Sequence, residues 1–94
     1  MATIGVLTLE IVLQNSHSLK DKRHVVKSLK DRLRSRFNVA LAEIDYQDLW
    51  QRAVVAAVTV SPDHGHAEKV LQSVEEEAAA LLGPELAGAT VEWM

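Results

Sequence analysis

From residue 2 to residue 13 the side chains alternate, with Leu7, Leu9, Ile11 and Leu13 on one face and Ile4, Val6, Thr8, Glu10 and Val12 on the other. That two-residue period predicts a strand, and its second face is polar only in part. Asn15-Ser16-His17-Ser18 then reads as a loop ending in a helix start, with Ser18 as N-cap and Asp21 favourable toward the first free amides. Over residues 20–37 the apolar period changes: Val25, Val26, Leu29, Leu33 and Phe37 fall within about a third of a helical circumference. Residues 39–44 predict a second strand, 45–48 a polar turn, and 52–60 a third strand that is apolar on both faces. Two consecutive strands with so short a connection favour an antiparallel hairpin.

Ser61-Pro62-Asp63 predicts the next helix: Ser61 as cap, Pro62 in the first helical position, Asp63 in the first turn. Its inner face is expected to hold Ala67, Val70, Leu71, Val74, Ala78, Leu81 and Leu82, with Glu68, Gln72, Glu75 and Glu76 outward. Gly83-Pro84 stops it, and residues 89–94 predict a last strand. The order β-α-β-β-α-β, with two right-handed crossovers joined by a hairpin, gives an α+β, ferredoxin-like domain. A four-stranded antiparallel sheet would carry both helices on one face, and the 94 residues suffice for one such domain, 1–94.

Composition adds exclusions. Cysteine is absent, which removes disulfides, thiolate metal sites and cysteine nucleophiles. Gly5, Gly65, Gly83 and Gly88 are too scattered for a phosphate-cradling loop. No charged-then-apolar leader and no run of about 18 apolar residues occurs, so a cytoplasmic protein without a membrane role is expected. Charge is unevenly placed. The formal net charge of −3 conceals a segment, residues 20–36, that holds eight of the ten Lys and Arg residues.

Within that segment Lys20, Arg23, Lys27, Lys30 and Arg34 recur at alternating spacings of three and four, which places them on one strip beside the apolar stripe. Helix faces laced by ion pairs alternate sign, so five cations with no acid in their row predict contact with an anion, and a phosphate backbone is the natural one. A solvated face, or one neutralised by acids of a partner subunit, is the alternative. The first and third strands carry no aromatic residue, so base stacking on the sheet is not expected. Tyr46, Trp50 and Trp93 stand at strand ends and are expected to seal core edges.

His64 and His66 are two apart and His17 and His24 isolated, so no metal site is expected. Glu43, Asp45, Asp48 and Arg52 surround the hairpin as turn residues rather than an acid pair. No nucleophile or base has supporting turn chemistry, so neither an enzyme nor a cofactor is expected.

The blocks Ser18-Leu-Lys-Asp-Lys-Arg23, Val25-Val-Lys-Ser-Leu-Lys30, Arg34-Ser-Arg-Phe-Asn-Val39, Ala42-Glu-Ile-Asp45, Asp48-Leu-Trp-Gln-Arg-Ala53 and Val60-Ser-Pro-Asp63 resemble the small bacterial YlxP-like family, a domain of unknown function. The resemblance covers nearly the whole chain. It implies a ferredoxin-like fold and, since such genes often accompany those of translation initiation and ribosome-binding factors, a role near RNA or ribosome assembly. It carries over no catalytic residues. It marks Lys20, Lys22 and Arg23 as a functional surface, and Asp45, Asp48, Trp50, Gln51 and Arg52 as a second one.

The combined expectation is a non-enzymatic accessory factor that meets rRNA or a ribosomal particle through Lys20, Lys22, Arg23, Lys27, Lys30 and Arg34. The alternative is a homo-oligomeric structural or regulatory module with no nucleic-acid role. A homodimer or larger assembly through the sheet is expected, the alternative being an isolated monomer whose open face accepts a partner's or the ribosome's surface. The face away from the helices should show Ile4, Val6 and Val12, with either three valines or Val55 and two alanines from the third strand. The second strand would add Ala40, Ala42 and Ile44, or else Val39 and Leu41, and it is an edge without lysine or proline.

Overall fold

Alternating strands and two apolar-striped helices assemble as the periodicities require. The computed structural model describes residues 1–94. It places β1 at Thr3–Val12, α1 at Leu19–Arg36, β2 at Ala40–Asp45, β3 at Arg52–Ser61, α2 at His64–Leu82 and β4 at Leu86–Trp93, with a short 3₁₀ turn, Gly83–Glu85, before β4. The sheet order is β2-β3-β1-β4 and every neighbouring pair is antiparallel, the ferredoxin-like arrangement. No helix is long and apolar enough to cross a membrane.

Leu7, Leu9 and Ile11 of β1 stand opposite Ala57, Val55 and Ala53 of β3 on the inner face. Large residues on one central strand against small ones on the other leave room for the helices, which fill it with Val26, Leu29 and Leu33 from α1 and Leu71, Val74, Ala78 and Leu82 from α2. Trp93 packs across Gly5, where an added Cβ would lie 2.6 Å from the indole, so only glycine fits. Leu81, assigned to the inner face by periodicity, is instead exposed. It lies between the buried pair Ala78 and Leu82, rotated out of their row by one residue.

The helix starts differ in how closely they follow expectation. Ser18 caps α1, its hydroxyl accepting from the Asp21 N–H at 3.0 Å, while the Asp21 carboxylate accepts from the His17 N–H. For α2 the assignment needs correcting, because β3 runs on to Ser61 and the helix begins two residues after Pro62. Asp63 is the N-cap and accepts from the His66 N–H at 3.2 Å; the Ser61 hydroxyl accepts from the Asp63 N–H and shapes the turn. Both residues are good caps by type, and the length of the β3 pairing selects the later one. Gly83 ends α2 with φ +57°, a conformation that glycine adopts freely.

The open face takes Val54, Ala56, Val58 and Val60 from β3, so the three-valine alternative holds. Val6 and Ala40 flank Val58, and Thr8 and Ala42 flank Ala56. On the β4 side the face turns polar with Thr8, Glu10, Thr90 and Glu92. Replacing Asp63 by Ala should remove one capping bond and lower stability by about 1 kcal/mol. In a thermal melt this is a drop of roughly 4–8 °C. An unchanged midpoint would show that Asp63 does not cap the helix.

Candidate functional site: a buried lysine joint and a basic groove

The two sequence blocks singled out above meet at one end of the molecule. Lys22 occupies the row of Val26, Leu29 and Leu33, the buried face of α1, and is 1% exposed. An ammonium so placed must have its charge and its three N–H groups matched, or it would strongly destabilise the fold. Its Nζ donates to the backbone carbonyls of Tyr46 at 2.7 Å, Gln47 at 3.2 Å and Arg52 at 3.3 Å. The Glu43 carboxylate supplies the counter-charge, with Oε2 at 3.0 Å. With three donors already aimed at carbonyls, that oxygen pairs in charge without an aligned hydrogen bond.

Around this pin the 46–51 connection is tied at several points. Tyr46 adopts φ +60°, unusual for a side chain of its size, and its N–H is held by the Asp45 carboxylate at 2.8 Å. The Leu49 N–H donates to the Tyr46 carbonyl, and the Arg52 guanidinium lies 4.4 Å above the Tyr46 ring. Gln51 Nε2 donates to the carbonyls of Gln14 and Ser16, joining this connection to the one between β1 and α1. The placement of Lys22 among surface cations is therefore corrected: it is a joint. Gln51 and Arg52 belong to the same joint. The signal was present in the spacing, since Lys22 precedes Val26 by one helical turn in the buried row.

Asp45, Asp48 and Trp50 point to solvent. Trp50 is 53% exposed and does not seal the core as its position beside a strand suggested. With Leu49 it borders a shallow hollow of about 380 Å³.

The remaining cations of α1 sort by direction. Arg32 and Arg36 converge on Glu77 at 2.7 and 3.3 Å and tie α1 to α2. Arg23, Lys27, Lys30 and Arg34 line one groove of about 380 Å³, with Glu43 of β2 on its far wall and Val26 and Asp31 within it. Lys20 is exposed on the same strip, and Lys30 is half-buried. The strip is not the unbroken row of cations expected. Asp31 lies 2.7 Å from Lys27 Nζ and 3.9 Å from Arg34. The hydrogen bond from Lys27 is the main cause that holds its carboxyl below the usual value, aided by the charges of Lys27, Arg34 and Lys30. The depressed pKa keeps the carboxylate ionised to a lower pH than a free aspartate would stay. The pairing is lost only as pH falls through that lowered value.

Elsewhere the His64 ring packs against Trp93 with centroids 4.2 Å apart and planes tilted by 48°, its Nε2 3.4 Å from Glu68. No group of three or more His, Asp or Glu residues gathers closely enough to hold a metal ion.

With this geometry in hand, comparison with known proteins places the chain. The family model described as "Protein of unknown function (DUF503)" matches residues 4–90. The chain belongs to this family. It is 41% identical over 71 residues, 76% of its length, to "Uncharacterized protein YlxP" of Bacillus subtilis (strain 168), of which the match covers 77%. Among solved structures it is similar to the de novo designed protein Foldit4, with TM-score 0.63, 10% identity and coverage of 100% of this chain and 97% of that one. It also resembles a putative antibiotic biosynthesis monooxygenase of Caulobacter crescentus CB15, with TM-score 0.53, 17% identity and coverage of 99% and 88%. A dimeric ferredoxin-like protein of unknown function from Thermobifida fusca YX matches with TM-score 0.51, 15% identity and coverage of 97% and 90%. At these identities the structural likenesses show the fold alone.

Replacing Lys22 by Met in this DUF503 member should take a donor from the carbonyls of Tyr46, Gln47 and Arg52 and leave Glu43 without its counter-charge, a loss of about 3 kcal/mol in urea denaturation. Pairing the change with Glu43→Gln should recover part of that loss. Equal stability of Lys22→Met and wild type would show that the joint is not stabilising.

Proposed function

We propose that this DUF503 protein is a non-enzymatic, RNA- or ribosome-associated accessory factor that lays a phosphate backbone along the α1–β2 groove. The observation that carries this reading is the gathering of Arg23, Lys27, Lys30 and Arg34 along one groove of a chain whose net charge is −3. Four cations against the single exposed acid Asp31 leave a surplus of positive charge, and phosphates would relieve it with release of counterions. Lys20 extends the same track toward the start of α1. Glu43 on the far wall is neutralised by Lys22, so it repels an incoming phosphate less than a free carboxylate would. A partner of this kind, an rRNA or a ribosomal particle, would be met in the cytoplasm.

A second observation favours self-association through the sheet. Ile4, Val6, Val58 and Val60 share the open face with Ala40 and Ala42, and Val60 is 58% exposed, whereas Val54 and Ala56 on the same face are already buried within the chain. An apolar surface of this kind is characteristic of an interface. A dimer through it would leave both α1 grooves facing outward and bind RNA at two sites.

Exchanging Arg23, Lys27 and Lys30 for Glu should abolish co-sedimentation with ribosomal particles while the far-ultraviolet circular dichroism stays unchanged. Asp31→Asn should act oppositely, tightening binding to a labelled single-stranded RNA and steepening its salt dependence. Co-sedimentation of the triple variant at the wild-type level would overturn the reading. For the sheet face, sedimentation equilibrium at micromolar concentration and about 1 M salt, where charge contacts are screened, should give about twice the 10.4 kDa chain mass, and Val58→Glu should return it to one chain. A single-chain species in the wild type would sink the dimer.

A further inference from the structure

The edge of the molecule opposite the basic groove carries its counterpart. Between α2 and β4 a second groove, of about 320 Å³, is lined by Glu68, Gln72 and Glu75 along the helix and by Leu71, Val91 and Trp93 beneath them. Glu68, Gln72 and Glu75 are exposed at helical spacings of four and three, and Arg23, Lys27, half-buried Lys30 and Arg34 recur at the same spacings on α1. Each groove thus runs between a helix and an edge strand, β2 on the basic side and β4 on the acidic side. Neither edge strand contains the lysine or proline with which natural sheets discourage pairing.

The topology permits the two edges to join. In the order β2-β3-β1-β4 every neighbour is antiparallel, so β2 and β4 run in opposite directions. A second copy in the same orientation would set its β2 antiparallel to β4 of the first, with all helices on one face and its α1 beside the first copy's α2. Arg23, Lys27, Lys30 and Arg34 would then face Glu68 and Glu75, with Gln72 between the two carboxylates.

We propose that the acidic α2–β4 groove of one copy receives the basic α1–β2 groove of a second copy, edge strand against edge strand, and that phosphate and the second copy compete for the same cations. The competition rests on the phosphate reading above, whereas the contact between copies does not. Because the two surfaces differ, the contact is head-to-tail and generates open series or rings, unlike the sheet-face dimer. Its electrostatic part weakens as the Debye length falls from about 10 Å at 0.1 M salt to about 3 Å at 1 M.

Charge exchange tests this. Variant one carries Glu68→Lys and Glu75→Lys; variant two carries Arg23→Glu, Lys27→Glu and Lys30→Glu. In sedimentation velocity the wild type should show species larger than the sheet-face dimer at about 0.1 M salt and lose them at about 1 M. Each variant alone should lack these species and the mixture should regain them, which a misfolded variant could not bring about. A short single-stranded RNA should dissolve the wild-type series. If variant one associates as the wild type does, or the mixture is no heavier than its parts, the contact is wrong. If the mixture regains the species but RNA neither binds nor dissolves the series, the contact stands and the phosphate reading fails. Variant one binding RNA at least as tightly as wild type supports both.

Discussion

The burial of one ammonium organises this end of the protein. Lys22 can lie in the apolar row of α1 only because three backbone carbonyls and the Glu43 carboxylate surround its Nζ. Satisfying those donors fixes the path of the β2–β3 connection, brings Tyr46 beneath Arg52 and sets Leu49 and Trp50 at the surface. It also fixes the rotation of α1 about its own axis. With Lys22 turned inward, Arg23 and Lys27 are directed to the β2 side and their groove follows.

Charge on α1 therefore divides into three parts with different physical roles. Lys22 is internal and structural. Arg32 and Arg36 close on Glu77 and join the helices. Arg23, Lys27, Lys30 and Arg34 remain along the groove, moderated by Asp31, whose depressed pKa reports how strongly its neighbours favour its charged form. Exposed pairs of the Lys27–Asp31 kind contribute little to stability, so this last group is free to serve recognition.

The sheet divides its faces in the same economical way. Leu7, Leu9 and Ile11 of β1 against Ala57, Val55 and Ala53 of β3 form the floor of the core, and Val54, Val58 and Val60 of β3 are left on the open side. A β-branched strand that is apolar on both faces suits a central position, and β3 holds one between β2 and β1. The open apolar area consequently lies toward β2, the edge nearest α1, while the β4 side is polar.

Local periodicity was enough for the element order, the antiparallel sheet, the Ser18 cap, the Gly83 stop and most of the core, because each depends on residues within one or two turns of one another. The motif blocks and the cationic strip were likewise visible in the chain. What periodicity could not supply depended on partners far away in sequence. The spacing puts Lys22 in the buried row, but only Tyr46, Gln47 and Arg52, about 25 to 30 residues on, supply the carbonyls that let a cation lie there. Asp63 rather than Ser61 caps α2 because Thr3, at the other end of the chain, still pairs with Ser61. The outward face of β3 was undecided by its own residues, which are apolar in both registers, and only pairing with β1 chose the valines. Composition and spacing determined which residues could form strands, helices and a basic strip; tertiary pairing decided which polar groups would be enclosed, since enclosure depends on acceptors that only the folded chain brings together.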